Sequence, residues 1–242
     1  MKQDIRLRQP LRDLKVAITG GTSGLGLALL RQFADAGASV AFVARDGARL
    51  ARVAVSLPGT HGFAGNVAEK AEIYPLATAI AGALGGLDLL INNASDLGPV
   101  PLALLADTDC EDLERALATN LIGPFRLTKA LLGALAASAR EGRGGLVVNI
   151  SSDAAVTPYP GWGAYGASKA ALHHLSQIWN LELAAAGIQI LSHDPGDMDT
   201  PLHALAIPEA DPALLKSPED SARELIAAIE AALPRPAIAP VS

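Results

Sequence analysis

The chain has 242 residues, 50% hydrophobic and 18% charged, which suits one large α/β domain and excludes a disordered or low-complexity chain. Its net charge of −6 comes without a basic run, so neither nucleic acid nor an anionic membrane is an expected partner. Cys110 is the single cysteine, which excludes an internal disulfide and a cysteine metal cluster. The five histidines lack ligand spacing, His173 and His174 pointing about 100° apart on a helix, and no metal site is expected. No apolar stretch has membrane-spanning length, and no secretion-type block follows Met1–Arg6, so a cytoplasmic location is expected.

In chain order, the apolar run 14–19 reads as a strand ending in a glycine-rich turn, and 25–36 carries helix periodicity that Gly37 stops. A strand over 39–44, a helix over 46–55 and a weak strand over 61–65 follow. Helix 68–84 precedes strand 87–92. A long helix over 109–139 precedes strand 145–150, and a helix over 162–186 precedes strand 188–191. Ser217-Pro218-Glu219-Asp220 opens a last helix that ends near Leu233-Pro234.

Short apolar strands alternating with helices predict a doubly wound three-layer α/β/α sandwich, because parallel strands need crossovers and the crossovers supply both covering layers. The expected sheet is mostly parallel, with six strands and a seventh left open. No composition break divides the chain, so residues 1–242 read as a single Rossmann-type domain, with 196–216 as a substrate loop. Ligands of such sheets sit at the carboxyl ends of the strands, which directs attention to the residues just after each strand.

Thr19-Gly20-Gly21-Thr22-Ser23-Gly24-Leu25-Gly26 falls between the first strand and helix, where glycines permit a tight turn and close approach of a pyrophosphate to the helix N-terminus. Tyr165 and Lys169 lie one turn apart near the start of a helix and can face one ligand. A phenol titrates near ~10 and needs a neighbouring cation to serve as acid–base catalyst at neutral pH, a role open to Lys169. Ser152 stands just beyond the fifth strand, where a hydroxyl can hold a substrate oxygen. Asn120 is a poor helix former set among Leu117, Leu121 and Ile122.

With these residues in place, the sequence resembles the short-chain dehydrogenase/reductase family from about Leu14 to about Thr200. The likeness rests on the Thr-Gly-x-x-x-Gly-x-Gly turn at 19–26, Asn92-Asn93-Ala94-Ser95, Asn120, Ser152, the Tyr-x-x-x-Lys at 165–169, and Pro195-Gly196-Asp197-Met198-Asp199-Thr200. The resemblance implies an NAD(P)-dependent oxidoreductase that moves a hydride between cofactor and a carbonyl or secondary alcohol. Tyr165 would then be the general acid or base, Lys169 would lower its pKa and bind the nicotinamide ribose, Ser152 would polarise the substrate oxygen, and Asn120 would order a relay water. Gly20, Thr22, Ser23, Gly24, Leu25, Gly26, Arg45, Asn66, Val67, Asn93, Ala94, Pro195, Gly196, Met198 and Thr200 would line the cofactor, with Tyr165 and Lys169.

At the end of the second strand, Ala44 stands where relatives that prefer NAD carry an acid. Arg45 follows it, which favours NADP(H) over NAD(H). Asp46 can be accounted for as a helix cap. Ser23 occupies a position often basic in NADP-dependent relatives. Ser95 replaces the usual glycine, and Asn66 the usual aspartate, of the family pattern.

The expected pocket walls are 97–101, 157–162 and 201–207. They are mainly apolar, with Tyr159 and Trp162, and suit a small to medium apolar carbonyl compound. His203 reads as an exposed loop histidine. Arg235–Ser242, with two prolines, does not resemble the family's seventh strand and tetramer-forming tail. A homodimer is therefore favoured over a tetramer, joined through the helices 109–139 and 162–186, with Ala116, Ala118, Ala171 and Ala184 permitting close approach. A non-redox epimerase or dehydratase would carry a Thr-Gly-x-x-Gly-x-x-Gly turn, and a silent cofactor-sensing module would lack Tyr165 or Lys169, so redox chemistry leads.

Overall fold

The computed structural model describes residues 11–233. Every expected strand forms, and their bounds are β1 (Lys15–Thr19), β2 (Ser39–Ala44), β3 (His61–Ala64), β4 (Leu89–Asn92), β5 (Leu146–Ile150) and β6 (Gln189–His193). Among the described residues they make one six-stranded sheet in the order β3-β2-β1-β4-β5-β6, and every pairing is parallel. The winding reverses between β1 and β4, so the loops leaving these two strands diverge and open a crevice at the carboxyl edge. A seventh strand would lie at 234–242, outside the described residues.

The helices are α1 (Gly24–Asp35), α2 (Gly47–Ser56), α3 (Lys70–Leu84), α4 (Cys110–Leu117), α5 (Gly123–Arg140), α6 (Gly163–Leu183), α7 (Pro201–Ala206) and α8 (Pro218–Ala232). Strand side chains alternate between faces. Val16 and Ile18 of β1 pack with Leu29 and Phe33 of α1 and Leu225 and Ile229 of α8. Ala17, on the opposite face, joins Ile80 of α3, Leu127 and Leu131 of α5 and Trp179 of α6. With both faces covered, the central strands β1, β2, β4 and β5 are mainly apolar on both faces, as a buried parallel sheet requires.

A buried polar ladder ties together the elements that carry the site. Asn92 donates to Asn149 (2.8 Å) and Thr128 (3.2 Å), and Asn149 donates to Ser176 (2.8 Å). These direct side-chain bonds cross from β4 to β5, and reach α5 and α6.

The long helix expected over 109–139 is interrupted. Between α4 and α5 the backbone widens into a π-helical turn, Ala118–Ile122, with Asn120 at its middle. The cause is local and visible in the residues: Pro124 has no N–H, so the Asn120 carbonyl cannot receive its usual helical donor, and a π-turn absorbs the defect. Within 196–216 two short elements were not expected, α7 and the 3₁₀ turn Pro212–Leu214. That segment is pinned at its base. Met198 pairs with Lys216, Asp199 N–H donates to the Lys216 carbonyl (2.9 Å), and Lys216 N–H donates to that of Asp197 (3.1 Å).

Candidate active site

The turn after β1 is held to the loop after β4 by reciprocal hydrogen bonds. Thr19 Oγ1 accepts from the backbone N–H groups of Asn93 and Ala94, each at 3.0 Å. Asn93 Nδ2 donates to the carbonyls of Thr19 (2.9 Å) and Gly20 (3.2 Å). Gly20 has φ +72°, and a Cβ on Gly26 would lie 2.2 Å from the Gly20 oxygen, so neither position tolerates a side chain. Ser23 precedes α1 without a side-chain cap, and the first turn of α1 holds no acidic residue. The amides at this helix end therefore face the crevice with no competing acceptor, the donor set a pyrophosphate needs.

A cavity of about 780 Å³ runs along the carboxyl edge of the sheet. At one end stand Gly20, Thr22, Ser23, Gly24, Leu25 and Arg45, followed by Asn66, Val67, Asn93 and Ala94. Pro195, Gly196, Met198 and Thr200 also line it, Thr200 lying against Gly24, and Ser152, Tyr165 and Lys169 stand at the other end. Gly26 and Asn120 lie behind the wall and do not line it. The Asp46 carboxylate accepts from Arg49 N–H (2.9 Å), a bond that caps α2 and lowers its pKa, as expected for a helix cap. Arg45 makes no ion pair among the described residues, and Arg49, which the sequence reading passed over, joins it on the wall. Asn66 Oδ1 accepts from Ala68 N–H (3.1 Å), and the residue lines the cavity.

At the far end, α6 carries Tyr165 in its first turn and brings Lys169 into the space behind the end of β5. Lys169 is 2% exposed, and its Nζ donates to the Ile150 carbonyl at 2.8 Å and lies 5.5 Å from the centre of the Tyr165 ring. Burial pushes its pKa from 10.5 down to about 8, opposed by the negative charge of Asp194. Burial also pushes the Tyr165 phenol up to about 12, against the pull of the Ser152 and Ser95 hydroxyls. Desolvation of these two adjacent groups thus favours the protonated phenol and the neutral amine.

Asn120 is 1% exposed, and its side chain is fully engaged by the chain. Its oxygen accepts from Asp96 N–H (2.8 Å) and Ser95 Oγ (3.2 Å), and its amide donates to the Asp96 carbonyl (2.7 Å) and Ser168 Oγ (2.8 Å). Ser152 Oγ accepts from Ala154 N–H (3.2 Å) and donates to Asp153 Oδ1 (3.0 Å), while Tyr159 donates to Asp153 Oδ2 (2.8 Å). Leu97, Ala154 and Tyr165 form an apolar cluster with Trp162, Leu202 and Ala206, which walls the cavity around the phenol. Thr119, Asp153 and Asp194 also line it and were not singled out by the sequence; only the folded chain brings their loops together. Among the described residues no group of three His, Cys, Asp or Glu side chains is arranged to hold a metal, and no helix is long and apolar enough to cross a membrane.

A doubly wound sheet with a glycine-cradled helix N-terminus at one end of a crevice, and a tyrosine–lysine pair at the other, is the architecture of a dinucleotide-dependent oxidoreductase. A family model described as short chain dehydrogenase matches residues 15–210. The chain is 31% identical over 198 residues to L-fucose dehydrogenase of Mus musculus, covering 81% of this chain and 70% of that one. Among solved structures, 3-ketoacyl-(acyl-carrier-protein) reductase from Brucella melitensis complexed with NADH superposes with a TM-score of 0.81 at 27% identity, over 89% of this chain and 90% of the other. A Shigella flexneri chain complexed with NADP gives 0.80 at 27% identity, over 88% and 90%. The chain belongs to the short chain dehydrogenase family and is an NAD(P)-dependent oxidoreductase of that family.

The buried amine makes stability depend on pH in a definite direction. Between about 8 and 10.5 the unfolded state binds more protons at Lys169 than the folded state, so its burial penalty is full below about pH 8 and fades as pH rises toward 10.5. Lys169→Met removes that penalty. Its melting temperature relative to the parent chain is expected to be most favourable near pH 7 and to fall steadily between pH 8 and 10.5, as read by thermal denaturation across that range.

Proposed function

We propose that the protein is an NADP(H)-preferring reductase of small to medium, largely apolar carbonyl compounds, and in reverse a secondary-alcohol dehydrogenase. The single observation that carries this reading is the gathering of Ser152, Tyr165 and buried Lys169 at one end of a cavity whose other end carries Arg45 and the open N-terminus of α1. When bound, the cofactor supplies or accepts the hydride. The glycine turn and α1 amides would hold its pyrophosphate. Arg45 and Arg49, beside Ser23, would pair with a 2′-phosphate, and the capping bond of Asp46 keeps that carboxylate occupied.

Tyr165, whose pKa burial pushes up to about 12, would donate its proton to a carbonyl oxygen held against it by Ser152. Lys169, poised near 8, can resupply that proton at neutral pH. The relay water assigned to Asn120 would sit on its backbone carbonyl rather than its side chain, since Pro124 cannot donate to that carbonyl and the side chain's bonds are taken. Apolar walls at Leu97, Trp162 and Leu202 favour hydrocarbon around the reacting group.

A homodimer joined through α4, α5 and α6 remains the favoured assembly, supported by exposed Ile122, Ile178 and Leu181 on these elements. Ala116 does not contribute, being fully buried within its own chain. Light scattering is expected to return the mass of two chains, and a four-chain mass would reject this assembly.

Turnover is read from nicotinamide absorbance with a panel of carbonyl compounds. Tyr165→Phe is expected to lose at least about a hundredfold in kcat with cofactor affinity nearly unchanged; full turnover by this variant would reject the assigned acid. Arg45→Ala is expected to weaken NADPH by roughly tenfold or more while leaving NADH nearly unaffected, and equal losses for both would reject the phosphate contact.

A further inference from the structure

We infer that Asp153 reads a hydroxyl on the carbon next to the reacting one, so that the preferred substrates are α-hydroxycarbonyl compounds and, in reverse, vicinal diols. This rests on the carbonyl–alcohol chemistry proposed for the same cavity and adds a substrate class to it. The hydride still reduces the carbonyl carbon, and the Tyr165 proton still goes to its oxygen.

The hydroxyl of Ser152 has one proton, and that proton is committed to Asp153 Oδ1 at 3.0 Å. A plain ketone brings only acceptor lone pairs. To polarise it, Ser152 must withdraw its proton from Asp153, and the carboxylate loses a donor with nothing offered in return. An α-hydroxycarbonyl group brings its own donor beside the acceptor. Its two oxygens are separated by about the length of a hydrogen bond, matching the separation of Ser152 Oγ and Asp153 Oδ1. The substrate hydroxyl can then replace Ser152 at Asp153, and the Ser152 proton turns to the carbonyl oxygen.

Asp153 has the capacity for this exchange. An ionised carboxylate offers about four acceptor sites, and the side-chain bonds it makes are to Ser152 and Tyr159. These donors, the Tyr159 hydroxyl foremost, hold its pKa below the ordinary value, so it is an acceptor at neutral pH. Its side chain is exposed on the cavity wall beside Ser152. Local structure does not demand a carboxylate here, because the short 3₁₀ turn Asp153–Ala155 is already capped by Ser152.

The test uses matched ketones that differ by one hydroxyl: acetoin against butanone, and acetophenone against its α-hydroxy form. With NADPH, the parent enzyme is expected to favour the hydroxylated member of each pair by roughly tenfold or more in kcat/KM. Asp153→Ala and Asp153→Asn are expected to bring that ratio toward unity, and a ratio does not respond to a mere loss of folded protein. Equal use of both members by the parent enzyme, or an undiminished ratio in both variants, overturns the inference and leaves the proposed reductase standing. Reduction of other carbonyls with neither hydroxylated ketone accepted overturns it equally. Failure of NADPH to bind, or turnover that survives Tyr165→Phe, overturns the underlying reading itself.

Discussion

A lysine ammonium almost wholly removed from water, with one hydrogen bond to the Ile150 carbonyl, sits at the centre of this structure. Burying such a charge is costly, and the protein meets the cost by lowering its proton affinity rather than by giving it a carboxylate partner in contact. The placement is useful only if the neighbouring elements are rigid. The ladder through Asn92, Asn149, Thr128 and Ser176 supplies that rigidity by tying α6, which carries Tyr165 and Lys169, to β5, which carries the accepting carbonyl.

The other end of the cavity is governed by a different constraint, the close approach of two backbone segments. The loop after β1 can be held against the loop after β4 because Gly20 and Gly26 present no side chains and Asn93 fills the space with donors. The crevice this leaves is bounded by bare amides, two arginines and the segment 195–200. That segment is fixed at its base by the pairing of Met198 with Lys216, so the apolar stretch around α7 is held over the reacting end as a closed excursion.

Acid–base character here arises from the balance between burial and hydrogen bonding. Tyr165 and Lys169 are driven in opposite directions by the same desolvation, one toward retaining its proton and the other toward releasing it. Their pKa values consequently move apart, to about 12 for the phenol and about 8 for the amine. The Ser152 hydroxyl stands beside this couple on the cavity wall and is hydrogen-bonded to the carboxylate of Asp153.

What the sequence determined by itself was whatever is encoded over a few residues. The strand runs, the glycine turn, the capping role of Asp46 and the one-turn spacing of Tyr165 and Lys169 depend on local periodicity and backbone freedom, and each was legible before folding. The π-turn at Asn120 had its signal in Pro124, but the helical pattern on both sides concealed it. Tertiary structure alone decided which distant loops meet: Arg45 and Arg49 with Thr119, Asp153 and Asp194 around one cavity. It also decided the burial of Ala116 and the titration of Tyr165 and Lys169. Solvent exclusion is a property of everything packed around a group, and no stretch of neighbouring residues contains that information.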